Sequence, residues 1–192
     1  MNKTTRTALE AKAADGDTTA QCKLADYYLS LDTPQDTRTA IPFIEQASEA
    51  GEPWALFMLG QLYEEGVYVK KSLKKAMAFY AISAHFNYDC AQVSLGILFA
   101  NLPGSKQNIP EALKLYRKAA KQNNAQACYN LGLYYQKGRG VPKSNTHAFA
   151  WFKKAAELGD ADACAIVSEC YEAGLGVRKN AAQAKIWKKK KV

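Results

Sequence analysis

The chain has 192 residues, 48% of them hydrophobic and 23% charged, enough to bury a sizeable, elongated core in one continuous domain without a linker. Its 26 basic and 18 acidic residues leave a formal charge of +8, unevenly spread: residues 1–50 carry 5 basic against 8 acidic groups, and residues 51–192 carry 21 against 10. No apolar run reaches the roughly 18 residues of a membrane helix, and no apolar segment follows the charged start Met1–Arg6, so no secretory signal is read and a cytoplasmic location is expected if residue 1 is the native start.

In chain order, apolar periodicity predicts helices at about 5–15, 18–30, 37–50, 53–65, 73–86, 89–100, 109–122, 125–137, 145–158, 161–173 and 181–190. They alternate in type and repeat in register. The first helix of each pair opens on Ala20, Ala55, Ala91, Ala127 or Ala163. Four residues on come Leu24, Leu59, Leu95, Leu131 and Val167, and four further Tyr28, Tyr63, Phe99, Tyr135 and Tyr171, which stacks these side chains on one helical face. The small residues Ala25, Gly60, Gly96, Gly132 and Ser168 recur between them. Glycine costs roughly 1 kcal/mol relative to alanine inside a helix, so its return at one position implies a crossing too close for a Cβ.

The second helix carries Ala40, Ala76, Ala112, Ala148 and Ala184, each followed three residues later by Phe43, Phe79, Leu115, Trp151 or Trp187. These large residues, with Ala47, Ser83, Ala119 and Ala155 after them, are read as one apolar stripe. Gly138-Arg139-Gly140-Val141-Pro142 and Gly174-Leu175-Gly176-Val177 are read as helix ends and turns, with the valine folded back onto the core. No strand and no Walker pattern accompany these glycines, so they do not form a phosphate loop. A unit of about 36 residues made of two helices cannot bury its apolar face alone, and consecutive units must stack.

The stretch Ala127 to Asp160, with Leu131-Gly132, Tyr134-Tyr135, Gly138, Gly140-Val141, Ala148, Trp151-Phe152, Lys154-Ala155-Ala156 and Gly159, resembles the Sel1-like repeat, a relative of the tetratricopeptide repeat. The other units resemble it less completely: Tyr68 stands where the second turn glycine belongs, Leu102 replaces a first turn glycine while Gly104 is kept, and Leu31-Asp32-Thr33-Pro34 replaces both in the first unit. The resemblance implies an all-α, right-handed α/α solenoid superhelix forming a single domain over 1–192. It would comprise a partial N-terminal helix at 5–16 and repeats at about 18–52, 53–88, 89–124, 125–160 and 161–192.

Some Sel1-like proteins are secreted and bridge their helices with one cysteine pair per repeat. Here the five cysteines are Cys22, Cys90, Cys128, Cys164 and Cys170, an odd number in the wrong positions, so free thiols in a reducing compartment are expected. The two histidines, His85 and His147, are far apart in repeat position, and no ligand spacing suggests a metal. Nothing positive supports a hydrolytic or other enzyme, and no cofactor is expected.

The basic residues cluster near second helices and end in Lys185 and Lys188, Lys189, Lys190 and Lys191, which are read as solvated charge able to steer an acidic partner. Removing packed positions from the first helices leaves one face: Met58, Gln61 and Glu65; Ser94, Ile97 and Asn101; Asn130, Leu133 and Lys137; Ile166, Glu169 and Ala173. In the resembled folds the first helices line a concave groove, which places this set on a partner-binding wall. The expected function is a non-catalytic adaptor or scaffold for a protein or peptide, with a dedicated immunity-type inhibitor of one bacterial toxin as the alternative. Nucleic acid and membrane are not expected partners, and the chain is expected to be a monomer or a weak homo-oligomer.

Overall fold

The structure, a computed structural model, describes residues 1–102 and 108–190. Gly104 and Lys191 therefore lie outside the described residues. The helices are α1 Lys3–Ala14, α2 Thr18–Leu29, α3 Pro34–Glu49, α4 Pro53–Glu65, α5 Leu73–His85, α6 Asp89–Asn101, α7 Ile109–Lys121, α8 Ala125–Lys137, α9 Asn145–Glu157, α10 Ala161–Ala173 and α11 Ala181–Lys190. No strand occurs among the described residues, and none of the helices is long and apolar enough to cross a membrane. The chain divides into two compact units, Met1–Ala91 and Gln92–Val192.

The helices start where the sequence supplies an oxygen. The side chains of Thr33, Ser72, Asn108, Ser144 and Asn180 accept a hydrogen bond from the backbone N–H three residues on, capping the second helix of every pair. From Ser72 onward the caps are 36 residues apart, and each cap N–H also donates back to the carbonyl of Tyr63, Phe99, Tyr135 or Tyr171 in the preceding helix. Positive-φ residues close the junctions between pairs at Gly16, Gly51, Asn87, Asn123 and Gly159.

Helix ends agree with the sequence reading to within two residues except at α3, which begins at Pro34 rather than near 37. Leu31 to Pro34 is too short for the full turn. Asp32 takes φ 52°, Thr33 caps directly, and Pro34 occupies the first turn, where its missing N–H costs nothing. Tyr68, replacing a turn glycine, is held at φ 58°; its hydroxyl donates to the Pro34 carbonyl and the Arg38 guanidinium lies 5.4 Å from its ring centre. Those contacts offset the left-handed backbone that glycine would adopt freely.

In the first unit α1 packs on α2, α2 on α3, α3 on α4 and α4 on α5; in the second, α7 packs on α8, α8 on α9, α9 on α10 and α10 on α11. The recurring alanines and Leu24, Leu59, Leu95, Leu131 and Val167 are all buried, as read from the sequence. The large residues of the second helices require a correction. The most deeply buried are Ile44, Tyr80, Tyr116 and Phe152, each one position beyond Phe43, Phe79, Leu115 and Trp151, which are only half-buried. Phe43 and Phe79 instead stack on Tyr28 and Tyr63 with ring centres 6.2 and 5.6 Å apart. Trp187, with no aromatic after it, is buried as expected.

The glycines explain this shift. A Cβ on Gly96 would lie 2.7 Å from Cε1 of Tyr116, one on Gly132 would lie 2.6 Å from the Phe152 ring, and one on Gly60 would strike Tyr80. Each glycine is the socket for the aromatic twenty residues later, one helical step from the side chain the alanine spacing selects. Gly132→Leu is therefore expected to cost about 1–3 kcal/mol or more in denaturant unfolding through overpacking, with part of the loss recovered in a Phe152→Leu background because the two residues share one contact. Equal stability of the single variant and the natural protein would refute the socket.

Candidate partner-binding surface

Within the second unit, α6 and α8 present their outer faces to a common cavity of about 280 Å³. Ile97, Ala100 and Asn101 come from α6, and Asn130, Leu133, Tyr134 and Lys137 from α8. Tyr116 from α7 closes the floor and Arg139 enters from the turn after α8. The apolar walls are thus met by two amides and two cations, with no carboxylate in the lining.

The donors are set differently. Arg139 Nη2 donates to the Ala100 carbonyl at 2.8 Å, and its guanidinium carbon lies 5.6 Å from the Tyr134 ring centre, so the turn is tied to the exposed end of α6. Asn130 Nδ2 is buried yet has no hydrogen-bond partner among the described residues. A buried donor left unmet costs roughly 1–3 kcal/mol, so this amide favours an occupant bearing an acceptor. The Tyr116 and Tyr134 rings lie 5.7 Å apart, and burial, followed by the neighbouring Tyr134, raises the Tyr116 phenol above its ordinary value. Tyr116 therefore lines the floor as a neutral ring.

Five residues of the sequence-derived face, Ile97, Asn101, Asn130, Leu133 and Lys137, meet in this cavity. The rest do not. Met58 packs against the core of the first unit, while Gln61 and Glu65 lie on α4 in that same unit. Ser94 lies outside the cavity, Ile166 packs on the core cluster of the second unit, and Glu169 lines a separate recess with Glu172 and Lys188. Tyr116, Tyr134 and Arg139 were not in the sequence-derived set. The Gly96 socket is the signal that would have found Tyr116, whereas Arg139 reads as an ordinary turn residue flanked by two glycines.

The lysine-rich end is partly engaged with its own chain: Lys190 Nζ sits 4.3 Å from the Trp187 ring centre, and Lys188 faces the recess with Glu169 and Glu172. Lys185 and Lys189 are exposed. Lys154 donates to the Ala120 carbonyl at 2.9 Å, acting as a tether between α9 and the end of α7.

Ser144 Oγ and His147 Nδ1 lie 2.8 Å apart, a spacing that could be mistaken for a nucleophile and its base. The hydroxyl is the cap of α9 and accepts from the His147 N–H, as Ser72 and Thr33 do at the equivalent helix starts. The His147 ring stacks on Tyr135 with centres 5.1 Å apart. This pair belongs to a repeated capping device. Among the described residues no group of three or more His, Cys, Asp or Glu side chains could hold a metal ion.

A family model described as the Sel1 repeat matches residues 18–52, 55–85, 91–124, 125–160 and 161–190. Among solved structures, the protective antigen c5321 of uropathogenic Escherichia coli superposes with a TM-score of 0.83 at 29% identity, covering 97% of this chain and 40% of that one; the chain thus spans well under half the length of that relative. A Sel1 repeat protein from Oxalobacter formigenes gives 0.85 at 27% identity, covering 93% and 74% of the two chains. A Sel1 repeat protein from Klebsiella pneumoniae gives 0.65 at 22% identity over 95% and 89%, a likeness of fold alone. Comparison with curated proteins finds no match. The helix-pair architecture is a repeat fold of the type used by protein–protein interaction modules.

All five cysteines are free thiols, with Cys128, Cys164 and Cys170 buried and Cys22 and Cys90 half-buried. Burial, aided by the Glu52 carboxylate, pushes the Cys22 thiol up to about 11, and burial likewise raises the other four. At pH 8 Cys22 would be thiolate about one part in a thousand of the time. Its alkylation in the native protein is expected to be slower by about tenfold or more than in denaturant, where an ordinary thiol is restored. A mass-spectrometric time course checks this, and equal rates in the two states would refute it.

Proposed function

The chain belongs to the Sel1 repeat family, and we propose that it is a scaffold that holds a short segment of an acidic partner protein against the face shared by α6 and α8. The observation that carries this reading is the cavity itself: apolar walls from Ile97 and Leu133, the unmet Asn130 amide and the Lys137 ammonium, with Arg139 closing one side through its bond to the Ala100 carbonyl. A volume of about 280 Å³ lies at the small end of ligand pockets, which run from about 300 to 1,000 Å³. It suits one large apolar side chain of a peptide, with the following main-chain carbonyl accepting from Asn130 and a nearby carboxylate meeting Lys137.

Affinity then arises from presentation. Helical walls hold the anchors in place before the partner arrives, which reduces the ordering cost of binding. The excess of basic residues after position 50 raises the encounter rate with an acidic partner more than it holds the complex. Of the remaining positions of the sequence-derived face, Ser94 lies on α6 in the same unit and would contact a flanking part of the segment.

The test begins with affinity capture from the native source and identification of what is retained. Several clients sharing an apolar–acidic segment support the scaffold, whereas one tight stoichiometric partner supports a dedicated inhibitor. Ile97→Glu combined with Leu133→Glu is expected to abolish calorimetric binding of the captured partner. Melting should change little, since both side chains are only half-buried. Asn130→Ala should weaken binding by about tenfold. Undiminished binding by the double variant would reject this face.

A further inference from the structure

We propose a second binding surface, independent of the α6–α8 cavity: the cleft between α3 and α5 receives helix α11 of a second copy of this chain. The cleft has a volume of about 560 Å³. Its floor is Leu56, Leu59 and Leu62 of α4, and its sides include Ile41 of α3 and Ile82 of α5. Ile82 is 46% exposed, an apolar side chain that lines the cleft.

The lip of the cleft carries Glu45 and Glu49. Both are exposed, one turn apart, and neither carboxylate forms an ion pair among the described residues. They stand in the last turns of α3, which contain no basic residue. The helix dipole disfavours acidic side chains at that end, so the stability of α3 itself does not account for them. They offer two uncommitted negative charges beside a cleft whose most exposed apolar side chain is Ile82.

Helix α11 offers the complement. Trp187 and Ala184 are buried inward, while Ile186 is 47% exposed. Lys185 and Lys189 lie along one side of it and Lys190 on the other. Lys185 and Lys189 are four residues apart, as are Glu45 and Glu49, so each pair spans about 6 Å along its helix. Laying the two helices side by side brings both pairs into register and directs Ile186 onto the leucine floor. Other exposed apolar residues of the second unit lack this setting: Leu158 follows Glu157, and Leu175 lies in a turn.

The opposite end of the cleft fixes the direction of entry. Tyr63 and Val69 close it and also line the adjoining recess that holds Lys70, Lys71 and Lys75, with the Lys75 ammonium 4.6 Å from the Tyr63 ring centre. A lysine-rich helix is repelled there and attracted at the Glu45–Glu49 lip. Because one copy supplies the cleft and the other the helix, the contact is heterologous and can extend beyond a pair unless it closes. Few charges and one apolar anchor make it weak and salt-sensitive.

Sedimentation of the full chain tests this. At about 0.05 M salt the average mass should rise above 21.1 kDa with protein concentration and fall back at about 0.5 M salt. Glu45→Lys with Glu49→Lys, and separately Lys185→Glu with Lys189→Glu, should each weaken self-association by at least about tenfold. All four positions are exposed, and thermal unfolding verifies that the variants fold. An equimolar mixture of the two variants should associate again, because each then meets a complementary partner. Ile186→Asp should weaken association at about 0.05 M salt. A constant monomer mass for the natural chain at all concentrations, association indifferent to both charge reversals, or a mixture that stays monomeric would each overturn the proposal.

Discussion

The close crossing of paired helices, with a glycine in one opposite an aromatic ring in the other, is the contact on which the rest of the molecule depends. At Gly60–Tyr80, Gly96–Tyr116 and Gly132–Phe152 the ring occupies the space where a Cβ would otherwise stand. Inside a helix glycine has a backbone-entropy cost, and burial of a whole aromatic side chain more than offsets it. The crossing sets the separation of the two helices, and that separation positions every residue on their outer faces. Tyr116 is the clearest instance: its ring fills the Gly96 socket and also forms the floor of the α6–α8 cavity.

Hydrogen bonds at the helix ends convert these crossings into a repeat. One residue caps each second helix with its side chain, and from Ser72 onward its N–H is anchored to the aromatic residue near the end of the preceding first helix. The turn is thereby fixed at both ends, which lets a turn residue such as Arg139 act as part of a surface. Its bond to the Ala100 carbonyl satisfies an orphan acceptor at the end of α6. The first unit departs from this scheme where its turn is short, and α3 lengthens at its N-terminus to compensate.

The charge distribution gives the two proposed surfaces opposite characters. The α6–α8 cavity is apolar and cationic, while the α3–α5 cleft is apolar with an acidic lip. Surface charges of this kind contribute little to stability but discriminate between partners. The same 36-residue unit can thus carry different recognition chemistry in different copies, because the packed positions recur while the exposed ones vary.

The sequence by itself determined the repeat length, the helix pairs and the small-residue positions. Each of these follows from local chemistry recurring at a fixed interval: alanines at helix crossings, glycines at turns, and leucines four residues from the alanines. It also marked Ile97, Asn101, Asn130, Leu133 and Lys137 as uncommitted, by subtraction. Only the tertiary structure decided which of two adjacent large residues enters the core. Phe79 and Tyr80, or Trp151 and Phe152, are both bulky, lie about 100° apart on the helix, and recur with the same period. Periodicity cannot choose between them; the position of the glycine socket on the partner helix does. For the same reason Tyr116 and Arg139 escaped the sequence reading of the site. Their roles depend on contacts across 20 and 39 residues, Gly96 to Tyr116 and Ala100 to Arg139, which no single-helix pattern contains.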